Sequence, residues 1–82
     1  MGEQAAFVVV ETERFTAEVE ATLGRARWHE LKPALKEQLS RNPHRFLQIG
    51  NSPVYAIPLI TGHAIYYTID LEHGQVALWR IV

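Results

Sequence analysis

Eighty-two residues, 48% apolar and 21% charged, suffice for one globular domain with a thin core, since a chain this short buries little more than ~60% of its unfolded surface. Eight basic against nine acidic side chains leave a net charge of -1, which argues against a general nucleic-acid binder, because such proteins draw most of their affinity from Lys and Arg on phosphates. The absence of cysteine excludes disulfides, thiolate metal sites and a cysteine nucleophile, and no apolar run approaches the ~18 residues that span a bilayer.

In chain order, Met1 to Phe7 carries Glu3 in place of a basic cluster, and Ala5 to Val10 is too short for a signal-peptide core, so a cytoplasmic protein is expected. Ala6 to Val10 reads as a strand, apolar on both faces and therefore central. Thr12 is a plausible N-cap for a helix whose apolar stripe, Phe15, Val19 and Leu23, ends at Gly24. Pro33 suits a first helical position, which predicts a second helix over about Pro33 to Arg41, stopped by Asn42-Pro43. Arg25 to Lys32 is left as a helical turn or an irregular link, and Phe46 to Asn51 as a loop or a short strand.

From Val54 onward the pattern changes to three strands, Val54 to Leu59, Ala64 to Leu71 and Val76 to Ile81, separated by Thr61-Gly62 and His73-Gly74. A two-residue loop at His73-Gly74 pairs Leu71 with Val76, Ile69 with Leu78, Thr68 with Trp79 and Tyr67 with Arg80. That register sends Ile57, Leu59, Ile65, Tyr67, Ile69 and Leu78 toward the helices. The opposite face then gathers Ala56, Pro58, Ala64, Tyr66, Thr68, Ala77, Trp79 and Ile81, apolar and aromatic with no basic residue. Such a surface offers RNA little and suits a protein partner, because Trp and Tyr supply contact area at modest entropic cost. The competing expectation is that Phe46 to Pro53, or a bent N-terminus, covers this face in the monomer. The architecture expected is α+β: a strand, a two-helix hairpin and a three-stranded antiparallel meander, helices on one face, in a single domain over residues 1–82.

The four candidates for chemistry are His44, Arg45, His63 and Arg80. His44 and Arg45, with Arg41 and Lys36 close in sequence, form a basic corner able to grip a phosphate and offer an imidazole for proton transfer. The plainer account is a solvated helix end, where the macrodipole favours cations in any case. His63 beside Gly62 is a candidate acid or base near Tyr66, or simply an exposed turn histidine. Arg80 is a candidate partner of Tyr67 at the rim of the sheet, although an arginine stem packed on the ring explains the pairing equally. The histidines at 29, 44, 63 and 73 lack metal-ligand spacing, and no phosphate loop, serine elbow or paired-carboxylate spacing is present, so neither metal nor cofactor is expected. Glu11, Glu13, Glu18 and Glu20 read most simply as a solvated acidic face.

The element order, Asn42-Pro43 at the close of the second helix, and the run Tyr55-Ala56-Ile57-Pro58-Leu59 through Tyr66-Tyr67-Thr68-Ile69-Asp70 together resemble the RelE/ParE toxin superfamily of bacterial type II toxin-antitoxin systems. The resemblance covers nearly the whole chain, with Tyr67 and Asp70 on the family's strand Tyr and Asp. It implies a cognate antitoxin protein, or self-association to a dimer, as partner. Family members that cut messenger RNA on the ribosome carry strand arginines and a basic, aromatic C-terminal segment. Here Ala56 and Ala64 take the arginine positions and the sequence ends at Val82. The resemblance therefore implies a toxin-family protein acting mainly by protein binding, with catalysis reduced or absent. Its alternatives are an active ribosome-dependent endoribonuclease, with His44, Arg45, His63, Tyr66 and Arg80 standing in, and a gyrase-directed toxin.

Overall fold

A computed structural model describes residues 6–82. Strand β1 (Val8–Glu11) leads into helix α1 (Glu13–Leu23), helix α2 (Arg25–Arg41), a 3-10 turn (Pro43–Arg45), and strands β2 (Leu47–Gln48), β3 (Val54–Pro58), β4 (Ala64–Asp70) and β5 (Gln75–Ile81). The strands form one sheet in the order β1-β5-β4-β3-β2, with β1 parallel to β5 and every other pair antiparallel. The expected meander is thus the middle of a five-stranded sheet. The apolar β1 lies at its edge beside β5, against the expectation of a central strand. No helix among the described residues is long and apolar enough to cross a membrane.

Thr12 caps α1 as its sequence position predicts, its Oγ1 accepting from Phe15 N–H at 3.2 Å. The same hydroxyl donates to Leu78 O at 2.9 Å, fixing the start of the helix against β5. Gly24, at φ 90°, closes α1 and immediately precedes α2, a backbone conformation that L side chains rarely adopt.

Helix α2 begins at Arg25, eight residues before the predicted start, and passes through Pro33 without a break. Pro33 has no N–H for the His29 carbonyl, but both residues lie on the exposed side, where water can serve that carbonyl. The buried stripe of Trp28, Leu35 and Leu39, joined by half-buried Leu31, runs uninterrupted past the proline, and its packing holds the helix together.

The core lies between the two helices and one face of the sheet. Phe15, Val19, Trp28, Leu35 and Leu39 meet Ile57, Ile65, Tyr67, Val76, Leu78 and Ile81. Phe15 and Trp28 join the helices edge to face, their ring centroids 5.4 Å apart. Tyr67 is fully buried and donates its hydroxyl hydrogen to Pro43 O at 2.6 Å, tying the end of α2 to the centre of the sheet. Tyr55 stacks on Tyr67 at 5.6 Å, and burial first, then the neighbouring Tyr55, push the Tyr67 phenol well above its ordinary value.

The β4–β5 register differs from the predicted one. Ile69 pairs with Val76, Thr68 with Ala77 and Tyr67 with Leu78, so Arg80 faces Tyr66 instead of Tyr67. The loop has four residues instead of two, because Asp70 accepts the His73 N–H at 3.2 Å and Gly74 turns the chain at φ 63°. The displacement is two residues, one full strand period, so Tyr67, Ile69 and Leu78 keep the predicted face. A bulge then intervenes: Tyr67 pairs with Leu78 and Tyr66 with Arg80, leaving Trp79 as the extra residue. Beyond it the phase inverts, and Ile81, expected on the open face, is buried in the core.

Candidate functional site

Reading across the sheet, one row on the face away from the helices runs Leu47, Ala56, Tyr66 and Arg80, and the next runs Val54, Thr68, Ala77 and Val10. Trp79 joins this face, its indole Nε1–H donating to Thr68 Oγ1 at 2.8 Å. The bond pins the ring over the second row and leaves the indole 46% exposed. Leu47 at 70% and Val8 at 58% extend the exposed apolar surface to both edges. Of the residues the sequence assigned to partner binding, Trp79 and Pro58 are exposed, Tyr66 is half-buried, and Ala56 and Ile81 are withdrawn. Ala56 is only 9% exposed, lying in register between the larger Leu47 and Tyr66. Leu47 and Val8 were missed because the first sat in an unassigned segment and the second in a strand read as central.

Phe46 to Pro53 does not lie over this face. Leu47 and Gln48 continue the sheet beside β3, and Phe46 packs against the core. Gln48 and Ser52 close the intervening loop, Gln48 Nε2 donating to Ser52 O at 2.8 Å. The N-terminal part of the covering expectation, residues 1–5, lies outside the described residues.

The four candidate catalytic residues are placed apart. His44 and Arg45 are exposed on the 3-10 turn, His44 edge-on to Tyr55 at 6.0 Å and Arg45 over Phe46 at 5.5 Å. His63 precedes β4 at the far end of β3 from Tyr55, its Nδ1 2.9 Å from Thr61 Oγ1. Three residues of extended strand from Tyr55 to Pro58 alone span roughly 10 Å. Arg80 lies toward the opposite edge of the sheet from β2 and β3, where β5 runs beyond the end of β1. There its Nε–H lies 3.0 and 2.9 Å from the two oxygens of Glu18 on α1. Lys36 and Arg41, invoked for the basic corner, pair instead with Glu11 at 3.4 Å and Glu37 at 3.1 Å.

The acidic cluster is more than a solvated face. Glu18 also accepts the Ile81 N–H at 3.2 Å, covering an edge position that β1 does not reach. The hydrogen bond from Arg80 holds the Glu18 carboxyl below its ordinary value, with the Ile81 N–H and the Arg80 charge adding to it. Glu11, its side chain 13% exposed, accepts from Thr16 Oγ1 at 2.9 Å and lies 3.4 Å from both Lys32 and Lys36. Burial opposes its ionisation, but the Thr16 bond and the two lysines outweigh that and depress its pKa. In the β4–β5 loop, Asp70, Glu72 and His73 form an exposed group whose His73–Asp70 bond of 2.8 Å closes the turn and lowers the Asp70 pKa.

A second apolar feature lies between α2 and β3. It is a cleft of about 170 Å³ lined by Leu31, Leu35, Ile57 and Leu59, with Ile60 standing 97% exposed at its rim.

No protein-family model and no curated protein sequence matches the chain. Solved structures do. The chain is similar to the toxin-antitoxin complex RelBE2 from Mycobacterium tuberculosis, with a TM-score of 0.78 at 19% identity over 98% of this chain and 93% of that one. It is similar to the intact E. coli RelBE toxin-antitoxin complex, at 0.74 and 23% over 93% and 94%, and to a free E. coli RelE arginine double mutant, at 0.72 and 23% over 93% and 81%. The α+β arrangement of strand, two helices and strands is therefore the fold of the RelE toxins, the superfamily that the element order resembles.

Proposed function

We propose that this protein is a RelE/ParE-like toxin homologue, cytoplasmic, that works mainly by binding protein, either a cognate antitoxin or a second copy of itself, with cleavage activity reduced or absent. The observation that carries this reading is the open sheet face. It presents Trp79, Tyr66, Leu47 and Val8, and the one cation in its rows, Arg80, is turned aside onto Glu18. A broad apolar face with a half-exposed tryptophan at its centre is the composition of a protein interface, not of a phosphate-binding groove. The fold supports an antitoxin partner, since two of the similar structures are toxin-antitoxin complexes. Reduced cleavage is supported by the dispersal of His44, Arg45, His63 and Arg80 over three regions, because acid-base work on one phosphodiester needs its groups within hydrogen-bond reach of the same atoms.

Co-purification with the product of an adjacent small gene, read by solution mass, tests the proposal. A stable complex or a dimer is expected, and a monodisperse monomer that captures no such product overturns it.

A further inference from the structure

The bulge in β5 does two things at once. It returns Ile81 to the core, and it adds an indole to the opposite face, where the hydrogen bond to Thr68 on β4 fixes the ring of Trp79. A half-exposed ring already held in one position loses little entropy when a partner covers it. On the neighbouring strand β3, Ala56 is the low point of its row, a single methyl group between the larger Leu47 and Tyr66. A projecting ring and a shallow depression therefore stand side by side on one face.

The charges of that face are settled within the chain. Arg80 and Asp70, the charged residues whose strand positions alternate onto it, bond to Glu18 and His73. A two-fold contact brings each patch against a copy of itself, so any charge left over would meet its own kind. With a net charge of -1, two copies scarcely repel one another. A different protein is under no such constraint and gains from opposite charges, so a face that offers none favours a copy of itself.

We propose that the occupant of the open face is a second copy of this chain, docked about a two-fold axis that seats each Trp79 ring in the depression over the other copy's Ala56. This names the partner for the protein-binding reading of the face and rests on that reading. The area sets the strength. Five strands about 4.8 Å apart, the longer ones five to seven residues at ~3.3 Å each, make a face of roughly 20 by 20 Å. Two such faces bury on the order of 900 Å² in total, below the ~1,200 Å² at which stable interfaces begin. The dimer is therefore a weak one that forms and separates with concentration.

The experiment is sedimentation velocity of the purified full chain alone, from about 1 µM to 1 mM, the range in which so small an interface assembles. The mass should rise from monomer to dimer, and acrylamide quenching of the tryptophan emission should fall in step, because Trp28 is already buried and Trp79 becomes covered. Trp79→Glu should weaken the dimer at least roughly thirtyfold, the effect of losing an anchor at the centre of an interface. Ala56→Leu should weaken it roughly fivefold or more although it adds apolar surface, because the added carbons fill the depression. A face that associates by general stickiness would instead gain from the leucine. Circular dichroism melting confirms that each variant folds, and the quenching series on the native chain needs no variant. A monomer at every concentration, a dimer with unchanged quenching, or a dimer unaffected or tightened by Ala56→Leu would overturn the proposal. No antitoxin is present, so a monomer here leaves capture of a different protein by this face intact, and a dimer that captures no antitoxin leaves the present proposal standing.

Discussion

Replacing Tyr67 by Phe removes one oxygen atom from the centre of the protein and leaves every packing contact of the ring in place. In the native fold that oxygen donates its hydrogen to Pro43 O over 2.6 Å, and the tyrosine has no exposed surface. Pro43 is itself buried, so the orphaned carbonyl loses a partner that water cannot easily replace. An unsatisfied buried acceptor costs about 1–3 kcal/mol, and in a domain of this size each kcal/mol moves the melting temperature by roughly 4–8 °C. Tyr67→Phe should therefore melt about 5–15 °C below wild type by circular dichroism. Tyr55→Phe, which keeps the ring stack and breaks no hydrogen bond among the described residues, should stay within a few degrees. The two chains should also differ in alkali. Because burial raises the Tyr67 phenol, the unfolded chain releases that proton first, at its ordinary pKa of about 10. Its contribution is complete below that pH and is lost above it, at up to ~1.4 kcal/mol per pH unit. The advantage of wild type over Tyr67→Phe should shrink accordingly above pH ~10. A variant that matches wild type in both melting temperature and alkaline slope would refute the idea that this hydroxyl joins α2 to the sheet.

Glu11→Gln should cost about 1–2 kcal/mol by urea titration, since a carboxylate hydrogen-bonded to Thr16 and shared by two lysines becomes neutral. Its folded pKa is depressed, so its contribution is present above the ordinary value of 4.5 and fades as pH falls below it, and the variant should show the flatter acid limb. Leu78→Ala, at a fully buried site between Thr12 and Tyr67, should lose about 2–5 kcal/mol in the same titration, enough to leave the domain marginal. Thr68→Val keeps the shape of the open face but removes the acceptor for Trp79 Nε1. It should change stability by no more than about 1 kcal/mol while shifting the tryptophan emission, because the indole stays half-exposed and can bond water instead.

The sequence carried the element types further than it carried their pairing. Thr12, the Phe15–Val19 stripe and Gly24 act locally, and α1 falls where they place it. The alternation Ile65, Tyr67, Ile69 is likewise a local signal, which is why the burial of that strand survived an error of two residues in register. What misled was His73-Gly74. Read alone it is a two-residue turn, whereas Asp70, three residues before His73, supplies the side-chain acceptor that makes a four-residue loop. Pro33 misled in a similar way, since a proline at a helix start and a proline on the exposed side of a longer helix look the same until packing decides. The bulge at Trp79 and the pairing of Glu18 with Arg80 have no local signature. The second joins residues 62 apart, and it exists only because β1 stops at Glu11 and leaves the edge of β5 open to α1. The dispersal of the candidate catalytic residues follows from the same long-range placement.

The claim on which this account depends is that the face carrying Trp79, not the cleft beneath Ile60, receives a protein partner. Light scattering of the chain co-expressed with its neighbouring small gene product tests it most directly, comparing wild type with Trp79→Glu and Ile60→Glu. A complex or dimer in wild type and in Ile60→Glu, reduced to monomer in a folded Trp79→Glu, is the predicted result. A monomer throughout, or assembly lost only in Ile60→Glu, would contradict it.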